Sequence, residues 1–267
     1  RSSLCCSSTG AASQGRAALS ETMNPALRHH HRVQLRAQLG ALALDIDLDL
    51  PSLWTVIFGP SGSGKSSILR AIAGLLRNTE AKLIRTCEDR TTEDLTHLPP
   101  RDRRIAYAPQ QPSLFPHLSV AENVAFAQKS AHSSSPSKED ISGAIRLFRL
   151  EDLVHRYPRN LSGGERQRVN LARAFAVPKP QLMLLDEPFN GIDRPLRDAI
   201  LPELRELLHS RGIPVVSVTH DVEEAFRLQA EVVILRDGRI HDHGHVSTVL
   251  STERQNILDA LNAPPKN

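Results

Sequence analysis

The chain has 267 residues, 40% of them hydrophobic and 24% charged, ordinary proportions for a globular protein that buries a substantial core. A formal net charge of +3 is too small to argue for nucleic acid as the partner, and aromatics at 4% are too sparse for a base-stacking surface. No run approaches the roughly 18 apolar residues of a membrane span, and Cys5, Cys6 and Cys87 give neither a disulfide framework nor a metal spacing, which suits a reducing compartment.

Residues 1–22 are rich in Ser, Ala, Cys and Arg without periodicity and lack the apolar core of a secretory signal, while Met23 offers an alternative start. Residues 1–32 therefore read as a disordered or non-native extension, with His29-His30-His31 as solvated coil. Folding is expected from Val33. Leu42, Leu44, Ile46, Leu48 and Leu50 alternate with Ala or Asp, the period of a half-buried strand. Its polar face predicts an antiparallel layer outside the central sheet. Trp54 to Phe58 is apolar nearly throughout, as a strand covered on both faces should be.

That strand runs into Gly59-Pro60-Ser61-Gly62-Ser63-Gly64-Lys65-Ser66-Ser67, and a helical pattern over 66–76 runs out of it. Strand, glycine-rich loop and helix together are the context in which G-x-x-x-x-G-K-[ST] means a phosphate loop. The glycines let backbone N–H groups turn inward around a polyphosphate, and the helix N-terminus adds partial positive charge. Lys65 can reach the β- and γ-phosphates and the Ser66 hydroxyl can ligate Mg²⁺. A nucleoside triphosphate is the predicted ligand.

Residues 78–103 read as a polar connector with a short strand around 82–85, and Ile105 to Ala108 as a strand ending at Pro109-Gln110. Ser119 is positioned to cap a helix that begins at Val120. A Ser-rich linker over 130–138 precedes a helix over 139–149, whose first turn carries Glu139 and Asp140. Further on, Gln181 to Leu185 is an apolar strand ending in Asp186-Glu187-Pro188. A helix over 194–211, a buried strand over 215–219 ending at His220-Asp221, and a helix over 222–229 follow. Strand 232–235, the turn Asp237-Gly238 and strand 239–243 complete the pattern. Strands alternating with helices predict an α/β fold with a mostly parallel central sheet, interrupted by a helical insertion at about 111–160. His241, His243 and His245 alternate and could share a strand face as metal ligands, the alternative being an exposed edge strand. Residues 251–267 are too few for an independent core.

Ser162-Gly163-Gly164 opens another helix and offers a hydroxyl and free backbone N–H groups to a second anion. A chain with one Lys-bearing phosphate loop and this second half-site is completed if two copies meet head to tail. A two-fold axis then closes two identical composite sites.

At this point the residues resemble a known family. Leu161-Ser162-Gly163-Gly164-Glu165-Arg-Gln-Arg is similar to the signature motif of ABC-type ATPases, and its spacing from the phosphate loop and from Asp186-Glu187 fits that family. The run from Gln110 through Leu114-Phe-Pro-His to Val124 resembles the Q-loop of importer ATPases, nearest the molybdate and sulfate type. The resemblance covers about residues 33–250 and implies a P-loop NTPase domain with an antiparallel β layer and a helical insertion. It implies ATP and Mg²⁺ as ligands, hydrolysis of ATP, and a head-to-tail homodimer. An integral-membrane permease is the implied partner, with a periplasmic substrate-binding protein reached through it. It places the chain peripherally on the cytoplasmic face of the inner membrane, driving import of molybdate or a related oxyanion. The rival within the family is an ABC-type ATPase acting on nucleic acid or ribosomes; no heptad run or second phosphate loop supports it. A phosphate-loop kinase would need no Ser-Gly-Gly element.

The resemblance also assigns roles. Asp186 ends the Walker B strand and would hold Mg²⁺; Glu187 would polarise the attacking water; His220 would act as the switch histidine. Gln110, rather than Gln111, would ligate Mg²⁺ and report nucleotide state to the insertion. Asp193, in the Asn190-Gly-Ile-Asp D-loop, would bridge the subunits. Two departures stand out: residues 32–53 contain no Phe, Tyr or Trp to stack on adenine, and the signature has Glu165 where Gln is commoner.

Overall fold

The computed structural model describes residues 29–76, 79–87, 89–129 and 138–251. The expected N-terminal extension as far as residue 28, the linker over 130–137 and the tail over 252–267 lie outside the described residues.

Four parallel strands form the centre: β3 (Trp54–Phe58), β6 (Ile105–Ala108), β7 (Leu182–Asp186) and β8 (Val215–Thr219). The register sets Phe58 beside Thr219, Asp186 beside Val218 and Ala108 beside Leu185, so all four carboxyl ends reach one edge. In an open α/β sheet that edge is where ligands bind. Strand β9 (Glu231–Arg236) pairs parallel with β3 on the other side, and the Asp237-Gly238 turn, with positive φ at both residues, returns the chain as β10 (Arg239–His245).

These strands are buried on both faces, and alternate residues enter two cores. Val56, Met183 and Leu185 face a helical layer, whereas Ile57, Leu182 and Leu184 face the other side with helix α1 (Lys65–Ile72). The helical layer contains α2 (Val120–Lys129), α3 (Lys138–Leu147), α4 (Gly163–Phe175), α5 (Arg194–Arg211) and α6 (Val222–Leu228). No helix among the described residues is long and apolar enough to cross a membrane.

Four expectations change. The first strand, β1 (His29–Leu39), begins before Val33 and includes the histidine triplet. His31 is fully buried, because β1 is sandwiched between β2 (Leu42–Leu50) and β4 (Glu80–Cys87), and His31, Val33 and Leu35 alternate toward the core. Strand β2 does pair antiparallel with β1, yet it is not outside the central sheet: Arg239 of β10 bridges to Asp45, making one ten-stranded sheet whose far edge is the short β5 (Thr92–Asp94) beside β4. Its outward carboxylates Asp45 and Asp47 meet Arg36 and Arg32 across the strands, which is how a polar face is accommodated. Helix α1 ends at Ile72 rather than 76, because Gly74 at φ 76° breaks it and Arg103 covers its last carbonyls. Finally, β10 is no open edge: it lies between β2 and β9, and a bulge between Ile240 and Asp242 breaks the alternation of His241 with His243 and His245. No group of three or more His, Cys, Asp or Glu suited to a metal ion occurs among the described residues.

The insertion is tied together by Asn123. Its buried amide donates to the carbonyls of Phe115, Leu118 and Ser119, and its oxygen accepts the N–H of Phe115. Ser119 caps α2 as expected, exchanging hydrogen bonds with Glu122 in a capping box.

Candidate functional site

The phosphate loop joins β3 to α1. Gly59 is required by close approach: a Cβ there would lie 2.2 Å from the carbonyl oxygen of Leu235. Gly64 is the N-cap of α1, with no side-chain cap and no acidic residue in the first turn, so the helix presents uncovered N–H groups. Lys65 is almost buried, and its Nζ donates to the carbonyls of Gly59 and Pro60, both at 2.8 Å. Burial pushes the ammonium down from its ordinary pKa, with Glu187 and Asp186 opposing the shift.

Ser66 follows on the same turn and donates from Oγ to Asp186 Oδ1 at 2.9 Å. Asp186 ends β7 and is 1% exposed; its Oδ2 has no partner of ordinary hydrogen-bond geometry, with the Tyr107 hydroxyl beside the carboxyl. Burial pushes this carboxyl up, against the Ser66 hydrogen bond and the Arg70 charge. A hydroxyl and an orphaned carboxylate oxygen converging beside a phosphate loop are hard oxygen donors, the set that Mg²⁺ selects.

Glu187 leaves β7 at φ 47°, a left-handed conformation that is costly for a side-chain-bearing residue. Three contacts hold it: its N–H donates to Val218 O at 2.9 Å, and Gln167 of α4 donates to the carbonyls of Glu187 and Pro188. The carboxylate stays 16% exposed, with Oε2 3.3 Å from His220 Nδ1 and 3.5 Å from Asn190 Nδ2. A carboxylate oriented by a histidine at a sheet edge can accept a proton or align a water molecule.

The remaining expected residues fall into two groups. Gln110 is exposed immediately beyond β6, at the same edge as Asp186 and His220. The Ser162–Glu165 turn stands apart, with no hydrogen bond to the phosphate loop among the described residues. Instead it abuts the loop before α5: a Cβ on Gly164 would lie 2.5 Å from Gly191 O. Asp193, exposed at the N-cap of α5, accepts from Leu196 N. Within this group Glu165 serves its own helix. Its carboxylate accepts the Ser162 N–H at 2.6 Å, which holds it below the usual carboxylate range, while Ser162 Oγ accepts the Glu165 N–H. The capping box thus takes up the N–H groups of Ser162 and Glu165 and leaves the Ser162 hydroxyl proton and the N–H groups of Gly163 and Gly164.

Sequence reasoning missed the residues that join these groups. Beside Gln167, Asn170 of α4 donates to Pro109 O at 2.8 Å and Arg173 to Ser113 O at 2.8 Å. One helix therefore grips both the Glu187 turn and the segment around Gln110. Both Gln167 and Asn170 are buried, which only the fold reveals; nothing in the local sequence pattern marks them. Glu224 was also missed. It is buried behind His220 in α6 and accepts from Thr219 Oγ1 at 3.0 Å. Burial, with Asp221 and Glu187 adding to it and Thr219 and Arg197 opposing, pushes its carboxyl from 4.5 to about 8.

That shift has a sign. Between about pH 4.5 and about pH 8 the folded chain keeps a proton on Glu224 that the unfolded chain has lost. The stability it contributes is complete below the lower value and is lost as pH rises through the upper one. Glu224→Gln is expected to flatten that dependence and raise Tm near pH 8 by roughly 5 °C, read from melts across the range.

The profile of the ABC transporter family matches residues 44–190. The molybdenum import ATP-binding protein ModC of Thiobacillus denitrificans is 41% identical over 82% of this chain and 60% of its own length. The molybdate/tungstate import ATP-binding protein WtpC of Archaeoglobus fulgidus is 35% identical over 87% of this chain and 94% of its own length. The chain spans 54–62% of the length of the molybdenum and sulfate/thiosulfate import relatives it matches. Among solved structures, a dimeric ATP-binding cassette with ADP and Pi bound after hydrolysis superposes with a TM-score of 0.69. It is 26% identical, and the match covers 81% of this chain and 98% of that one.

Proposed function

Because the chain belongs to the ABC transporter family, we propose that it is the ATP-hydrolysing subunit of an importer, working as a head-to-tail pair on a membrane permease. The observation that carries this reading is the division of the site. Lys65, Ser66, Asp186, Glu187 and His220 gather at one sheet edge, whereas Ser162–Gly164 and Asp193 face outward together without reaching them. A second copy turned about a two-fold axis supplies the missing half.

In this reading the phosphate loop and the α1 N-terminus bind the β- and γ-phosphates, and Lys65 exchanges its loop carbonyls for phosphate oxygens. Ser66, Asp186 and Gln110 hold Mg²⁺, which when bound neutralises phosphate charge. Glu187 orients the attacking water, and His220 steadies Glu187 from its open side. The partner's N–H groups at Gly163 and Gly164 meet the γ-phosphate, and Asp193 touches the facing copy. Helix α4 passes the state of Glu187, through Gln167 and Asn170, to Pro109 and the insertion, where a permease helix would dock. Among cargoes, molybdate or a related oxyanion is favoured by the names of the relatives, and a periplasmic binding protein would deliver it. A role on nucleic acid would call for a basic surface that a net charge of +3 does not provide.

The test is ATP turnover by the purified chain alone and with a candidate molybdate permease. ATP-driven uptake of labelled molybdate into proteoliposomes supports the assignment. ATP turnover that transfers phosphate to a small acceptor, or that only nucleic acid stimulates, contradicts it.

A further inference from the structure

His220 is poorly supported for a residue with a demanding position. Its side chain is 69% exposed, and the contact to Glu187 is its anchor in the site. Its placement therefore depends on the backbone at either side. On one side Thr219 is held in β8 opposite Phe58. On the other, Asp221 receives the N–H groups of Glu223 and Glu224 and donates its own N–H to Thr219 Oγ1 at 3.0 Å. Its remaining oxygen, Oδ2, accepts from Arg197 Nη1 at 2.5 Å.

Arg197 comes from a different part of the site. It lies in the first turn of α5, where its N–H donates to Asp193 O at 2.9 Å. Its side chain is 13% exposed, and Asp198 and Glu223 flank it at 3.6 and 3.9 Å. A largely buried guanidinium with a short charge-assisted hydrogen bond is a stiff connection, unlike an exposed ion pair.

We propose that Arg197 is a positioning residue. By clamping Asp221 to the first turn of α5, it locks the backbone that carries His220 to the loop that carries Asp193. The surface that meets a second copy and the histidine beside Glu187 then move as one piece, so engagement of Asp193 sets His220 for hydrolysis. Thr219 and Glu224 extend the clamp into the core through their 3.0 Å hydrogen bond. The inference rests on the ATPase reading above.

The experiment compares steady-state ATP turnover, ATP binding and Tm for the wild-type chain, Arg197→Ala, Arg197→Lys and Asp221→Asn. Asn is as good an N-cap as Asp, so the last variant keeps α6 capped and weakens only the ion pair. The expected result is a kcat lowered about tenfold or more by Ala and by Asn, with KM for ATP within about twofold, and recovery by Lys to within about threefold of wild type. If Arg197→Ala does not fold, Asp221→Asn decides on the same criteria. Unchanged kcat, or a loss that follows Tm and KM and is not recovered by Lys, overturns the proposal. A silent wild-type chain would instead refute the ATPase reading, and the proposal with it.

Discussion

Glu187→Gln is expected to lower ATP turnover by at least about 100-fold while leaving ATP affinity within a few-fold of wild type. The amide is isosteric, so the positive φ at 187, the Val218 hydrogen bond and the grip of Gln167 on the 187 and 188 carbonyls all persist. What is lost is the negative charge that orients and polarises water beside the γ-phosphate. In the proposed reading binding draws on Lys65, the loop amides and the α1 N-terminus, which the substitution does not touch. Since hydrolysis is what would reopen the pair, the variant should accumulate as an ATP-bound dimer, visible as a shift in sedimentation on adding Mg·ATP. A variant that turns over normally would remove Glu187 from the chemistry and leave His220 without its proposed object.

Ser162→Arg is expected to abolish turnover to a similar extent, roughly 100-fold, with ATP binding by the isolated chain retained. Ser162 makes its cap bonds with Glu165 and none with the phosphate loop of its own chain. Loss of the cap costs only about 1 kcal/mol, so the fold should survive. The long side chain instead obstructs the N–H groups of Gly163 and Gly164 that a partner's γ-phosphate would use. Equilibrium binding of labelled ATP beside a turnover assay separates the two effects.

The candidate site was legible where its pattern is written in contiguous residues. Gly59 to Ser67 declares itself by local pattern, and Asp186-Glu187 by the apolar strand before it, since both depend on neighbours in the chain. Ser119 was equally readable, because a helix cap is satisfied within three residues. Contacts made at a distance were not. The reach of Gln167 and Asn170 to carbonyls on two other segments leaves no periodic trace, and Arg197 meets Asp221 only because α5 and β8 deliver them to one edge. The histidine triplet misled for the same reason: three polar residues look solvated until two flanking strands supply a ladder and bury the middle one. The bulge after Ile240 is likewise a property of pairing with β9, so the histidines of β10 looked like a face that the strand does not present.

The most direct test is complementation between two inactive chains, Lys65→Ala and Ser162→Arg. Mixed in equal amounts, random pairing makes half of the dimers mixed, each with one site built from an intact phosphate loop and an intact signature turn. The account predicts that the mixture regains roughly a quarter of wild-type turnover although each parent alone has almost none. A mixture no more active than its parents would contradict a catalytic centre shared between two copies.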